Sequence, residues 1–159
     1  MKIFKIALIA LVMIFSVPAE IYSQTFRVKV ERVSDGDTFR AKNRDDLLLV
    51  FRMHGIDAPE KSQPYSNKSK EYLEELILQK SVMVTVMSRD SYGRYVVKVA
   101  TPSVKDVSLK LLERGYAWHY KQYDKSAEYD KAEKAAKAAK KGLWADKNPT
   151  APWDFRKKK

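Results

Sequence analysis

The chain has 159 residues, with 31 Lys and Arg against 20 Asp and Glu, two His, no Cys and a formal net charge of +11. Without cysteine there is no disulfide and no thiolate ligand, and two histidines cannot build a zinc cluster. The length suits a leader and one domain, and the positive excess points to an anionic partner: nucleic acid, a phosphorylated polymer or an acidic surface. The plainer alternative is a basic surface without a partner.

In chain order the first element is a leader. Lys2 and Lys5 precede an apolar run from Ile6 to Val17, twelve residues in all. A membrane span needs ~20. The run suits a signal-peptide core, with small residues allowing cleavage after Ala19 or Ser23. An uncleaved anchor is the second reading. The expected division is a signal peptide over 1–23, a globular domain over 25–145 and a basic tail over 146–159. Removing 1–23 takes away Lys2, Lys5 and Glu20, so the mature part carries +10.

Thr25 to Val33 alternates, with Phe26, Val28 and Val30 on one face and Arg27, Lys29 and Glu31 on the other, and predicts a half-buried strand. "SDGDT" at 34–38 breaks it. Phe39 to Lys42 begins a second strand, "NRDD" turns, and Leu47 to Met53 is a third, more buried strand. Asn67 to Leu78 has helical spacing, with Ser66 or Asn67 as N-cap. Val82 to Met87 and Tyr95 to Val99 form a hairpin closed by "RDSYG". Asp106 to Arg114 is a helix ended by Gly115. Ser126 to Lys141 is a long helix with Tyr129, Ala132, Ala136, Ala139 and Leu143 facing inward. The tail, interrupted by prolines, is expected to run extended.

Five strands with a helix between the third and fourth is the order of an OB-fold. The predicted class is mainly β with α, a five-stranded barrel with three helices. The five glycines all fall at turns, strand ends or caps, so local and global signals agree.

Much chemistry is excluded. There is no phosphate-binding G-x-x-x-x-G-K loop, no G-x-S-x-G elbow and no complete EF-hand loop. What remains is carboxylates, arginines and tyrosines. Asp35 and Asp37 flank Gly36, Asp57 and Glu60 flank Ala58-Pro59, Arg52 stands on the third strand and Arg94 follows a turn. Carboxylate oxygens with a backbone carbonyl suit a hard cation such as Ca²⁺, and guanidinium forks suit phosphate. Together they permit in-line phosphodiester hydrolysis. Each piece alone reads more simply as a turn, a loop or a surface residue. The joint pattern is D-G-D-T, then R-x-x-x-x-D-x-P-E beginning fourteen residues after Thr38, then D-x-Y-G-R.

"VSDGDTFR" (33–40), "FRMHGIDAPE" (51–60) and "DSYGR" (90–94), in this order, resemble the staphylococcal nuclease family, and "LLERGYAWHY" (111–120) resembles that family's second helix and exit. The resemblance runs from Phe26 to Trp144. It implies an OB-fold endonuclease that uses Ca²⁺ to hydrolyse DNA and RNA, favours single strands and leaves 3′-phosphate ends; export is expected from the leader. Carried over by position, Asp37, Asp57 and the backbone carbonyl of Ala58 would hold the metal. Asp35 and Thr38 would support them through hydrogen bonds or water. Arg52 and Arg94 would clamp the scissile phosphate, and Glu60 would orient or deprotonate the attacking water. Tyr92 would touch a neighbouring phosphate, and Tyr120 or Tyr123 would stack on a base. His54 matches no catalytic position and reads as a packed or hydrogen-bonded strand residue.

The implied partners are DNA and RNA, with no membrane anchor after cleavage and a monomer as the default. The competing class is a non-catalytic OB-fold binding module, which would not need the full set Asp37, Arg52, Asp57, Glu60 and Arg94. A third reading is a basic surface-binding protein for which that set is coincidence.

Overall fold

The computed structural model of the protein describes residues 24–158; the leader expected over 1–23 lies outside them. Strands β1 (Thr25–Val33), β2 (Thr38–Lys42), β3 (Leu48–Met53), β5 (Ser81–Arg89) and β6 (Tyr95–Ala100) close into a barrel ordered β1-β2-β3-β6-β5. Every neighbouring pair is antiparallel except β3 with β6. A parallel pair needs a crossover, supplied by helix α1 (Ser66–Ile77) and then β5. Two short strands, β4 (Ile56–Asp57) and β7 (Trp118–His119), pair beside the barrel. Helices α2 (Val107–Arg114) and α3 (Ala127–Ala138) pack on each other, and α4 (Pro152–Lys157) ends the chain. The OB-fold expectation stands, with four α-helices among the described residues instead of three.

Alternating apolar residues fill the barrel: Val28 and Val30 from β1, Phe39 and Ala41 from β2, Phe51 and Met53 from β3 are all buried. Phe39 and Phe51 stack at 5.2 Å. Strict alternation would turn Val33 outward, because it lies three residues from Val30. The pairing of β1 with β2 shifts between Val30 and Arg32, and that irregularity returns Val33 to the core.

Three local expectations change. Neither Ser66 nor Asn67 caps α1; Tyr65 does, in the left-handed region at φ 65°, while the Ser66 hydroxyl donates to the Lys61 carbonyl. The long helix stops at Ala138. Lys140 and Gly142 both take positive φ, a 3-10 turn follows over Gly142–Ala145, and Ala139 is exposed. The inward stripe is Tyr129, Glu133 and Ala136. The tail is not extended, since Pro152 starts α4 at a position where a missing N–H costs nothing. Among the described residues no helix is long and apolar enough to cross a membrane.

Candidate active site

The two acidic turns meet because β2 and β3 are neighbours, with Thr38 opposite Arg52. In the first turn the Ser34 N–H donates to the Thr38 carbonyl at 2.8 Å, and the Asp37 N–H donates to Asp35 Oδ1 at 3.0 Å. The Asp37 carbonyl accepts from the Met53 N–H at 2.8 Å, which ties the turn to β3. Gly36 is needed for space: a Cβ there would overlap the Ser69 hydroxyl on α1 and come within 2.8 Å of the Ala58 methyl.

Asp37 is 4% exposed and Asp57 1%. Carboxylates so buried need counter-charges and donors. Asp37 Oδ1 pairs with Arg52 and accepts the Thr38 hydroxyl, and its Oδ2 accepts the Ala58 N–H at 2.6 Å. Arg52 also donates to Asp57 Oδ1 at 2.7 Å, so one guanidinium joins both acids. Burial pushes the Asp35 carboxyl above its ordinary value, against the pull of Arg52 and the hydrogen bonds from Thr38.

A third arginine arrives from the end of the chain. Arg156 on α4 donates to Asp57 Oδ2 at 2.8 Å, to Asp57 Oδ1 at 3.3 Å and to Glu60 Oε1 at 2.7 Å. The hydrogen bonds that Arg156 donates to Asp57, opposed in part by burial, drive its pKa further upward. Gln63 fixes the Glu60 loop, accepting the Glu60 N–H at 2.8 Å and donating to the Thr150 carbonyl at 2.9 Å.

Arg94 enters from the β5–β6 hairpin. Asp90 Oδ1 accepts the N–H groups of Tyr92 and Arg94, both at 3.0 Å, and Oδ2 accepts Arg94 Nε at 2.7 Å. Burial alone would raise the Asp90 pKa, but the bonds from Arg94 lower it overall. Arg94 therefore pairs with its own turn and not with Asp37 or Asp57.

Tyr92 is 83% exposed and Tyr123 62%. Tyr120 is half-buried, with one face stacked on Trp153 at 5.2 Å and 11°, and its ring meets Tyr123 edge-on. Every site residue expected from the sequence lines one cleft of about 1000 Å³, as does Arg156. His54 is also at the cleft wall, with Nε2 3.4 Å from Asp124 Oδ2, a hydrogen-bonding distance rather than a ligand role.

Sequence reasoning missed Arg156, Trp153 and Gln63, and gave Asp90 no role. One signal was available in the tail: Ala151-Pro152 opens a helix, and Trp153 and Arg156, three apart, then share a face.

Among the described residues no group of three or more His, Cys, Asp or Glu side chains is gathered as a metal cage. The cleft offers two buried carboxylates joined by a guanidinium, with Glu60 beside them. These are hard oxygen donors. They fit a cation such as Ca²⁺ that takes its remaining ligands from backbone and water, and they do not suit a soft metal.

The family "Staphylococcal nuclease homologue" matches residues 50–146. A probable staphylococcal-like nuclease, CAN3, of Oryza sativa subsp. japonica is 41% identical over 81% of this chain and 32% of its own length. An uncharacterized endonuclease of Haemophilus influenzae is 36% identical over 96% of this chain and 85% of its own. Another, of Escherichia coli O157:H7, is 36% identical over 82% of this chain and 85% of its own. The chain thus spans about a third of the rice protein and most of each bacterial one.

Proposed function

The chain belongs to the family of staphylococcal nuclease homologues, and from that premise we propose that it is an exported, Ca²⁺-dependent endonuclease. It acts as a monomer on DNA and RNA, prefers single strands and leaves 3′-phosphate ends. The observation that carries the reading is the lining of one cleft by two buried carboxylates, a third carboxylate, two site arginines and exposed tyrosines. Export rests on the leader read over 1–23.

Asp37 and Asp57 would hold the cation with the Ala58 carbonyl. Asp35 and Thr38 keep Asp37 in place through the turn and a hydroxyl bond. When bound there, the ion supplies positive charge beside the phosphate. Glu60 orients the attacking water and takes its proton. A bond forms between the water oxygen and phosphorus in line with the breaking bond to the 5′-oxygen, which leaves and is protonated from solvent. Arg52 and Arg94 neutralise charge on the non-bridging oxygens, and their fixed donors count most where that charge develops. Tyr92 meets a neighbouring phosphate. Tyr123, with its ring exposed, gives the stacking surface for a base, a contact worth ~1–3 kcal/mol and indifferent to sequence. Tyr120 backs it edge-on.

The test is to incubate the protein with heat-denatured DNA in Ca²⁺ and in excess chelator, and then to identify the new ends. Cleavage only with Ca²⁺, giving 3′-phosphates, is expected. DNA binding by a folded sample without cleavage would favour the binding module instead.

A further inference from the structure

We propose that helix α4 is an internal plug of this site: the Arg156 guanidinium and a divalent cation compete for Asp57 and Glu60, and the cation binds as the guanidinium leaves. The inference rests on the cation role given above to Asp57.

Its basis is the occupancy of the oxygens. Asp57 Oδ1 accepts from Arg52 at 2.7 Å and from Arg156 at 3.3 Å, Asp57 Oδ2 accepts from Arg156 at 2.8 Å, and Glu60 Oε1 accepts from Arg156 at 2.7 Å. A cation approaching these atoms meets like charge and must displace a donor. Arg52 is poorly placed to yield. It projects from a barrel strand, its side chain is 15% exposed, and it is also paired with Asp37. Arg156 is the movable one: its side chain is 42% exposed, and it sits on a helix of only six residues.

The plug has its own mooring. Ala151 and Pro152 are buried, and Trp153 packs against Trp118 at 5.6 Å and stacks on Tyr120. Gln63 ties the Glu60 backbone to the Thr150 carbonyl, so one side chain links the loop carrying Glu60 to the segment entering α4. Docked α4 therefore covers two things at once: the acidic oxygens, through Arg156, and one face of Tyr120, through Trp153. A buried carboxylate without a partner is strongly destabilising. The charge-assisted fork of Arg156, beside the bond from Arg52, supplies Asp57 with donors until a cation replaces it.

The competition has a calculable effect. If the plugged form outnumbers the open form about ten to one, the apparent Kd for the cation is about tenfold weaker than that of the open site. The experiment is calorimetric titration of the purified protein with Ca²⁺ alone, without nucleic acid, for wild type and Arg156→Gln. A Kd about tenfold tighter in Arg156→Gln is expected. Equal affinity overturns the plug while leaving the cation site standing, and weaker affinity makes Arg156 a supporting member of the bound site, which also overturns it. Should circular dichroism find Arg156→Gln unfolded, Arg156→Lys, which keeps the charge but loses the fork, is expected to bind Ca²⁺ more tightly than wild type. Wild-type or weaker affinity in that variant overturns the proposal. No Ca²⁺ binding by any of the proteins overturns the cation reading and the plug together.

Discussion

Glu60 and Arg94 reach the same cleft by different supports, and each support suggests what its loss would do. The Glu60 backbone is held by Gln63, so Glu60→Gln keeps the shape and removes the charge that takes a proton in the proposed reaction. Arg94 is preset by two bonds that it donates to the Asp90 carboxylate, so Arg94→Ala removes a donor that lines the cleft. Either substitution should lower kcat at least ~10²-fold, as loss of an acid–base group or a charge-stabilising donor does. Initial rates on denatured DNA at saturating Ca²⁺ measure it, and near-normal turnover in either variant would sink the assignment. These residues were legible because short motifs carry them: "DSYGR" contains both Arg94 and the Asp90 that aims it. The carboxylate motifs and their resemblance to a known family supplied the rest. Arg156 was not legible for the opposite reason. It lies 96 residues from Glu60, and the local signal in the tail, a helix opened at Ala151-Pro152, does not say which carboxylates its arginine meets.

The elements were easier to read in their interiors than at their ends. Barrel strands announce themselves through alternation, because one face meets the core and the other meets water. Helix ends depend on contacts the sequence does not write. Ser66 looked like a cap but spends its hydroxyl on Lys61, and α3 ends where Lys140 turns left-handed before Gly142. Glu133 sits on the inward stripe because its carboxylate accepts the His119 N–H at 2.9 Å and pairs with Lys137, a use no helical period reveals. The contact between the first acidic turn and α1 is likewise tertiary, and it can be tested. Gly36→Ala places a methyl against the Ser69 hydroxyl and the Ala58 side chain, both in buried positions. The expected cost is ~1–3 kcal/mol, the usual range for overpacking. Urea unfolding should show a lower midpoint with an unchanged slope. An unchanged midpoint would mean that α1 and the turn can part without cost.

At the scale of the molecule, one buried polar cluster joins the barrel to its helical side. His54 follows β3, His119 lies on β7 and Asp124 lies in the loop before α3. Asp124 Oδ1 is 3.2 Å from His119 Nε2 and accepts the Ser126 hydroxyl, and Oδ2 faces His54. Burial lowers the His54 pKa; Asp124 and Asp106 pull it upward without restoring it, and Lys98 adds to the depression. The folded protein therefore prefers neutral His54, and below the ordinary value of 6.5 the unfolded chain binds the proton more readily. The His54 contribution is complete above that value and is lost as pH falls toward the lower folded one. Burial would raise Asp124, but its bonds to Ser126 and His119 lower it overall, so its contribution fails only below the ordinary carboxylate value of 3.8. The two windows are separate. Wild type should lose stability between pH 7.5 and pH 5.5, and His54→Gln, which keeps a donor but does not titrate, should lose less. Urea midpoints of both proteins at the two pH values decide it. His119 and the rest of the cluster are common to both, so the difference in slope isolates His54. Parallel losses would place the acid sensitivity elsewhere and leave His54 as a packing residue.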